Sequence, residues 1–215
     1  MKRLLVMYGA IHVNVLLVSL YLVGWLNGAW LTVLQVTFLA LLLWGWKRFK
    51  IPKRNLSLKE RGIWLLGSLG VMVSLALIMS ALFSGSEPNQ ETLVTVQNQI
   101  PVLSFILFLL NASVVEEVFY REVLWGVLSQ PMSQVVLTSF LFALAHHPSS
   151  LFTWVLYGSL GLILGIVRWQ TDCLNSTLVH LSWNGIVFFP IFIVIPKSRV
   201  LSYYESTLLF LWGIT

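Results

Sequence analysis

Glu116 and Glu117 stand side by side in Asn111-Ala112-Ser113-Val114-Val115-Glu116-Glu117-Val118-Phe119-Tyr120-Arg121-Glu122, a run otherwise dominated by apolar side chains. On a helix Glu117 and Arg121, four apart, share a face and can pair, whereas Glu116 is rotated by about 100°. The Glu117–Arg121 pair reads as structural support, which leaves Glu116 as the carboxylate available for general base and acid work. Two further polar sets follow. His146 closes Phe142-Ala143-Leu144-Ala145-His146-His147-Pro148, and His180-Leu181-Ser182-Trp183-Asn184 sets an imidazole and an amide on one helical face. Such a pair can donate hydrogen bonds to one substrate oxygen. His146 would come near Glu116 if their two helices pack antiparallel. A carboxylate, two imidazoles and a carboxamide together offer a general base and acid and hydrogen-bond donors to a substrate oxygen.

Each set also has a plainer reading. His12 reads as a packing residue and His147, beside Pro148, as a loop residue. Glu122 next to Arg121 marks an interface in such a reading, and an intramembrane Asn often only bonds a neighbouring helix. The conjunction of three apolar segments that each carry polar groups, all in the second half of the chain, favours the functional reading of Glu116, His146, His180 and Asn184.

The elements that must position these residues are membrane helices. Of the 215 residues 58% are hydrophobic and only 10% charged, with a mean hydropathy of +0.86. A soluble domain carries roughly 25% charge because its surface faces water. Ionisable groups at membrane depth cost on the order of 3 kcal/mol or more each and usually mark a site. The net charge of +5 is not that of a nucleic-acid face, because seven of the 13 basic residues crowd between Lys47 and Arg61, between two apolar segments. That pattern is topological. Cys173, the one cysteine, has no internal disulfide partner.

Spans of about 20 apolar residues suit a bilayer core of about 30 Å. They are expected over residues 4–23, 29–46, 63–83, 100–129, 133–147, 151–169 and 174–195, with a weaker run at 200–214 that is either a short span or a surface helix. The stretch 100–129 would be about 45 Å long, too long for one straight crossing, so a span with a bent or interfacial continuation is expected, stopped by Pro131. Gly158, Gly161 and Gly165 in the sixth span allow close helix packing. The basic stretch and Lys2 and Arg3 place the N-terminus in the cytoplasm, and the polar segment 84–99, which has no Lys or Arg, forms an outer loop. The expectation is an all-α, polytopic bundle of seven or eight spans in one integral membrane domain: a three-span region over 1–99, a core over 100–195 and a short helix at 200–214.

The order Glu-Glu-x-x-x-Arg, Phe-x-x-x-His, His-x-x-x-Asn, each in an apolar helix, resembles the CPBP family of intramembrane proteases, which includes type II CAAX prenyl endopeptidases and proteins of bacteriocin processing and immunity. The resemblance covers about Ser113 to Asn184, including Gly161-Leu162-Ile163-Leu164-Gly165. It implies an intramembrane endopeptidase in which Glu116 and His146 activate a water, His180 and Asn184 stabilise the oxyanion, and Glu117 and Arg121 hold the helix. Members often have a small residue where this chain has Glu122. The family is described both as metal-dependent and as metal-free. Zinc needs three N or O ligands and an open position, for which Glu116, His146 and His180 are the candidates, but no His-Glu-x-x-His is present and the polar set already supplies base, acid and oxyanion donors. No cofactor is therefore expected. The partners expected are the lipid bilayer and a peptide or membrane-protein substrate, with no nucleic acid, in a bacterial cell membrane. A non-catalytic immunity factor or scaffold that keeps the polar network is the alternative. A small transporter would show inverted repeats, and none is evident.

Overall fold

The structure is a computed structural model that describes residues 2–48, 55–82 and 88–194. It is all-helical, with no strand among the described residues. The helices are α1 (Lys2–Leu22), α2 (Gly28–Trp46), α3 (Leu58–Leu82), α4 (Pro88–Gln99), α5 (Val102–Val118), α6 (Pro131–Ala145), α7 (Leu151–Gln170) and α8 (Cys173–Val194). After α5 the chain continues through a π-helical turn, Phe119–Leu124, and a 3-10 turn, Trp125–Val127.

Five of these stretches are long and apolar enough to cross a membrane: α1, α2, Leu58–Met79 of α3, Val102–Val127 and α7. The apolar α6, of 15 residues, is shorter, and α8 has 22 residues. The expected run at 200–214 lies outside the described residues. Three boundaries differ from expectation. The third helix starts at Leu58 rather than residue 63, because Ser57 and Glu60 close a capping box: the Glu60 carboxylate accepts from the Ser57 amide at 2.8 Å and from its hydroxyl at 2.7 Å, and Ser57 Oγ accepts from the Glu60 amide at 3.2 Å. Pro131 does not only stop the preceding segment but opens α6, where its missing N–H is no loss. The polar segment read as an outer loop is helical over Pro88–Gln99.

The contacts gather into two units. The first takes residues up to 54 and 88–134, and α5 is its centre, packed by α1, α2 and α4. Gly24 (φ 82) supplies the left-handed turn that ends α1, and Asn27 caps α2 by accepting from the Trp30 amide at 3.0 Å. Met7, Leu42, Val114, Val115, Val118 and Val123 form the apolar core of this unit. Because Met7 is near the start of α1 and Leu42 near the end of α2, the two basic ends, Lys2–Arg3 and Lys47–Arg48, lie at one end of the unit. Polar ties cross the same seam: Asn14 donates to the Phe108 carbonyl at 2.8 Å, Asn111 to the Gln35 carbonyl at 3.1 Å, and the Thr32 and Ser104 hydroxyls meet at 2.9 Å. Each such bond contributes about 0.6 kcal/mol in lipid.

The second unit takes 55–87 and 135 onward and is built from α3, most of α6, α7 and α8. Here the glycines of α7 matter where α6 crosses. A Cβ on Gly161 would stand 2.9 Å from the Ser139 carbonyl oxygen and one on Gly165 3.0 Å from Ser139 Oγ, whereas one on Gly158 would meet nothing within 4 Å. The Ser139 hydroxyl lies 2.7 Å from the Gly161 carbonyl oxygen, a hydrogen bond across the crossing that the missing side chains permit.

Candidate active site

In the first unit the site segment is the end of α5 and its π-helical continuation. Glu117 Oε2 lies 3.8 Å from Arg121 Nε, and both side chains are fully buried. The pairing expected from the spacing of four therefore forms, and with Glu117 rather than Glu116. Glu116 is only partly buried, while Glu122 is buried alongside Tyr120 and Arg121. The π turn widens the helix from Phe119, so Arg121 sits inside an irregular turn, a feature that recurs at functional sites. Gln134 secures the exit from this turn by donating to the Trp125 carbonyl at 3.1 Å and the Leu128 carbonyl at 2.7 Å.

In the second unit Phe142 is the seat of both histidines. Its ring centroid is 4.5 Å from that of His146 and 5.8 Å, edge to face, from that of His180. His146 follows the last turn of α6, and its Nδ1 lies 2.8 Å from the Phe142 carbonyl oxygen. A carbonyl only accepts, so Nδ1 carries a proton, which in the neutral tautomer leaves the lone pair at Nε2. The ring also stacks on Tyr157 of α7, centroids 4.3 Å apart. His180 is buried and Asn184, one turn further along α8, is partly exposed.

Thus Glu116, Glu117 and Arg121 belong to one unit and His146, His180 and Asn184 to the other. His147 is exposed with φ 49, the left-handed residue that ends α6 ahead of Pro148, as its loop reading expects. Ser150 then starts α7 at once through a capping box with Thr153. His12, exposed on α1, packs edge-on to Tyr8 at 5.1 Å. Among the described residues no three His, Cys, Asp or Glu side chains gather as a metal site.

Sequence reasoning missed the ties that hold α8. Arg61 clasps Asp172 with both guanidinium ends, Nη1–Oδ1 at 3.0 Å and Nη2–Oδ2 at 2.6 Å. Asp172 Oδ1 also accepts from the Asn175 amide at 3.0 Å, capping the helix that carries His180 and Asn184. The signal for the cap was present, an Asp just before an apolar helix, whereas nothing local points to a partner 111 residues away. The Tyr157 stack likewise joins residues on different helices.

Residues 98–186 match the Rce1-like family, described as type II CAAX prenyl endopeptidase Rce1-like. The resemblance read from the three motifs holds over this stretch, which contains all of them. The UPF0177 protein YvdC of Lactococcus lactis is 32% identical over 105 residues, covering 47% of this chain and 40% of the relative's own length. No solved structure matches the chain.

Proposed function

With residues 98–186 Rce1-like, we propose that this integral membrane protein is an intramembrane endopeptidase acting on a peptide or membrane-associated protein. The observation that carries the reading is the pair of imidazoles on Phe142, with His146 Nδ1 held by the Phe142 carbonyl. In this reading Glu116 takes a proton from a water that His146 Nε2 orients, and the water oxygen attacks the peptide carbonyl carbon. His180 and Asn184 donate to the oxyanion. As the C–N bond breaks, the proton held by Glu116 passes to the leaving nitrogen. Glu117, tied to Arg121, keeps the helix in place and takes no part in the proton transfer.

The chemistry needs no resident metal, since base, orienting group and oxyanion donors are all supplied by side chains. Activity that survives exhaustive chelation supports this reading, and reversible loss with phenanthroline, restored by stoichiometric zinc, overturns it. Glu116→Gln is the test of the enzyme reading itself. Turnover of a peptide substrate in detergent should fall by at least about 100-fold, the usual worth of a general base, at an unchanged melting temperature. Wild-type turnover in that variant takes the general-base role away from Glu116, and no turnover by the wild type itself returns the polar network to the scaffold reading. The bacterial membrane and a cytoplasmic N-terminus complete the proposal, supported by the Lactococcus relative and by the seven basic residues of 47–61.

A further inference from the structure

His146 lies just past the end of α6, where the backbone is already leaving the regular helix. The His146 and His147 amides donate only three residues back, to the Ala143 carbonyl at 3.1 Å and the Leu144 carbonyl at 3.0 Å, and His147 then takes φ 49. Two contacts hold the imidazole at this irregular end. The Phe142 carbonyl, 2.8 Å from Nδ1, fixes one atom of the ring. A single hydrogen bond still leaves the ring plane free to swing about that atom, and Tyr157 removes this freedom. The Tyr157 ring lies within 23° of parallel to the imidazole with centroids 4.3 Å apart, whereas the Phe142 ring, at 4.5 Å, is tilted by 44°. One contact sets an atom and the other a plane, and together they set where Nε2 stands.

Tyr157 is itself held by the way α7 is built and packed. Ser150 and Thr153 start α7 through their capping box straight after His147–Pro148, and Tyr157 follows Thr153 by one turn, buried as Thr153 is. One turn further on, Gly161 lets α6 come close: a Cβ there would stand 2.9 Å from the Ser139 carbonyl oxygen, and the Ser139 hydroxyl bonds the Gly161 carbonyl across the crossing at 2.7 Å. These contacts all belong to the second unit. The phenol ring is thus a wall fixed by the α6–α7 crossing, and the imidazole lies flat on it.

We infer that Tyr157 is a positioning residue for the proposed hydrolysis, its ring face holding the His146 imidazole in the plane from which Nε2 orients the attacking water. The inference rests on the endopeptidase reading and adds to it a residue that touches neither the water nor the peptide. Its worth therefore belongs to kcat. Misplacing a reacting group by about 1 Å costs about 100-fold, so Tyr157→Met, which keeps apolar volume and loses the ring, should lower kcat by about 10- to 100-fold with KM little changed, read well below the melting temperature of each variant. Tyr157→Phe keeps the ring face and should turn over as the wild type does. Proton NMR of the histidine Cε1–H groups needs no substrate. The His146 signal, identified by its loss in His146→Gln, should stand upfield of that of exposed His147 through the ring current of the stacked phenol, move downfield in Tyr157→Met and stay in place in Tyr157→Phe. A wild-type His146 signal that coincides with that of His147 overturns the inference, and so does wild-type kcat in Tyr157→Met. Equal losses in Tyr157→Met and Tyr157→Phe also overturn it, giving the role to the hydroxyl instead of the ring face. Those three outcomes leave the endopeptidase reading standing; a wild type that shows the His146 shift but no turnover takes that reading away and the positioning role with it.

Discussion

In the proposed reaction His146 depends on a bond within its own helix end: fixing Nδ1–H on the Phe142 carbonyl leaves Nε2 as the acceptor of the neutral ring. The Phe of Phe-x-x-x-His thus supplies both a carbonyl that sets the tautomer and a ring that seats two imidazoles. The two adjacent glutamates divide in the same physical way. Glu117→Gln removes an ion-pair partner of a fully buried guanidinium, a class of change that costs up to roughly 3–5 kcal/mol. A lower yield or melting temperature is expected for it, where Glu116→Gln leaves both intact. Asn184→Ala should cost on the order of 100- to 1000-fold in kcat with KM little changed, because an oxyanion donor meets its charge only in the transition state. An unchanged kcat with a lowered melting temperature makes Asn184 a packing residue. These positions were legible in the sequence because a spacing of four on an apolar helix is read without knowing the fold. The stack of Tyr157 on His146 was not, since it depends on the sharp turn at His147–Pro148 and on the crossing of α6 and α7.

At the scale of elements, most helices were legible from hydropathy alone, and the misplacements have local causes. The start of α3 was set five residues late because basic residues were counted as loop, although Ser57-Leu58-Lys59-Glu60 is a capping-box sequence. The lack of basic residues in the 84–99 segment spoke to its topology, not to its helicity. The bent continuation expected of the fourth span is a π turn, and its placement at Arg121 could not be read from composition. The Arg61–Asp172 clasp was hidden by sequence distance, yet it decides how α8 begins. Arg61→Ala removes the two-point salt bridge to the buried Asp172 and should destabilise the protein, read as a lower melting temperature. Arg61→Lys, which keeps the charge and loses the two-point grip, should fall between. A melting temperature equal to wild type in Arg61→Ala would mean that the start of α8 does not depend on the clasp.

At the scale of the molecule, the lone cysteine is fully buried, so the native chain is a silent background for thiol labelling. Asn55→Cys, exposed three residues before α3, should react with an impermeant maleimide only from the cytoplasmic side, and labelling from outside inverts the proposed topology. The division of contacts has a different kind of consequence, one of time. Both units are discontinuous along the chain, so α1 and α2 are made first but meet α5, the helix they pack on, only after α3 and α4 have been synthesised. From Trp46 to Val102 that is 56 residues, on the order of 3–11 s at roughly 5–20 residues per second. During that interval Asn14 and the carbonyl of Gln35 await the partners that α5 brings. Early in synthesis, the first helices are held in the bilayer by their hydrophobicity rather than by the contacts of the finished protein.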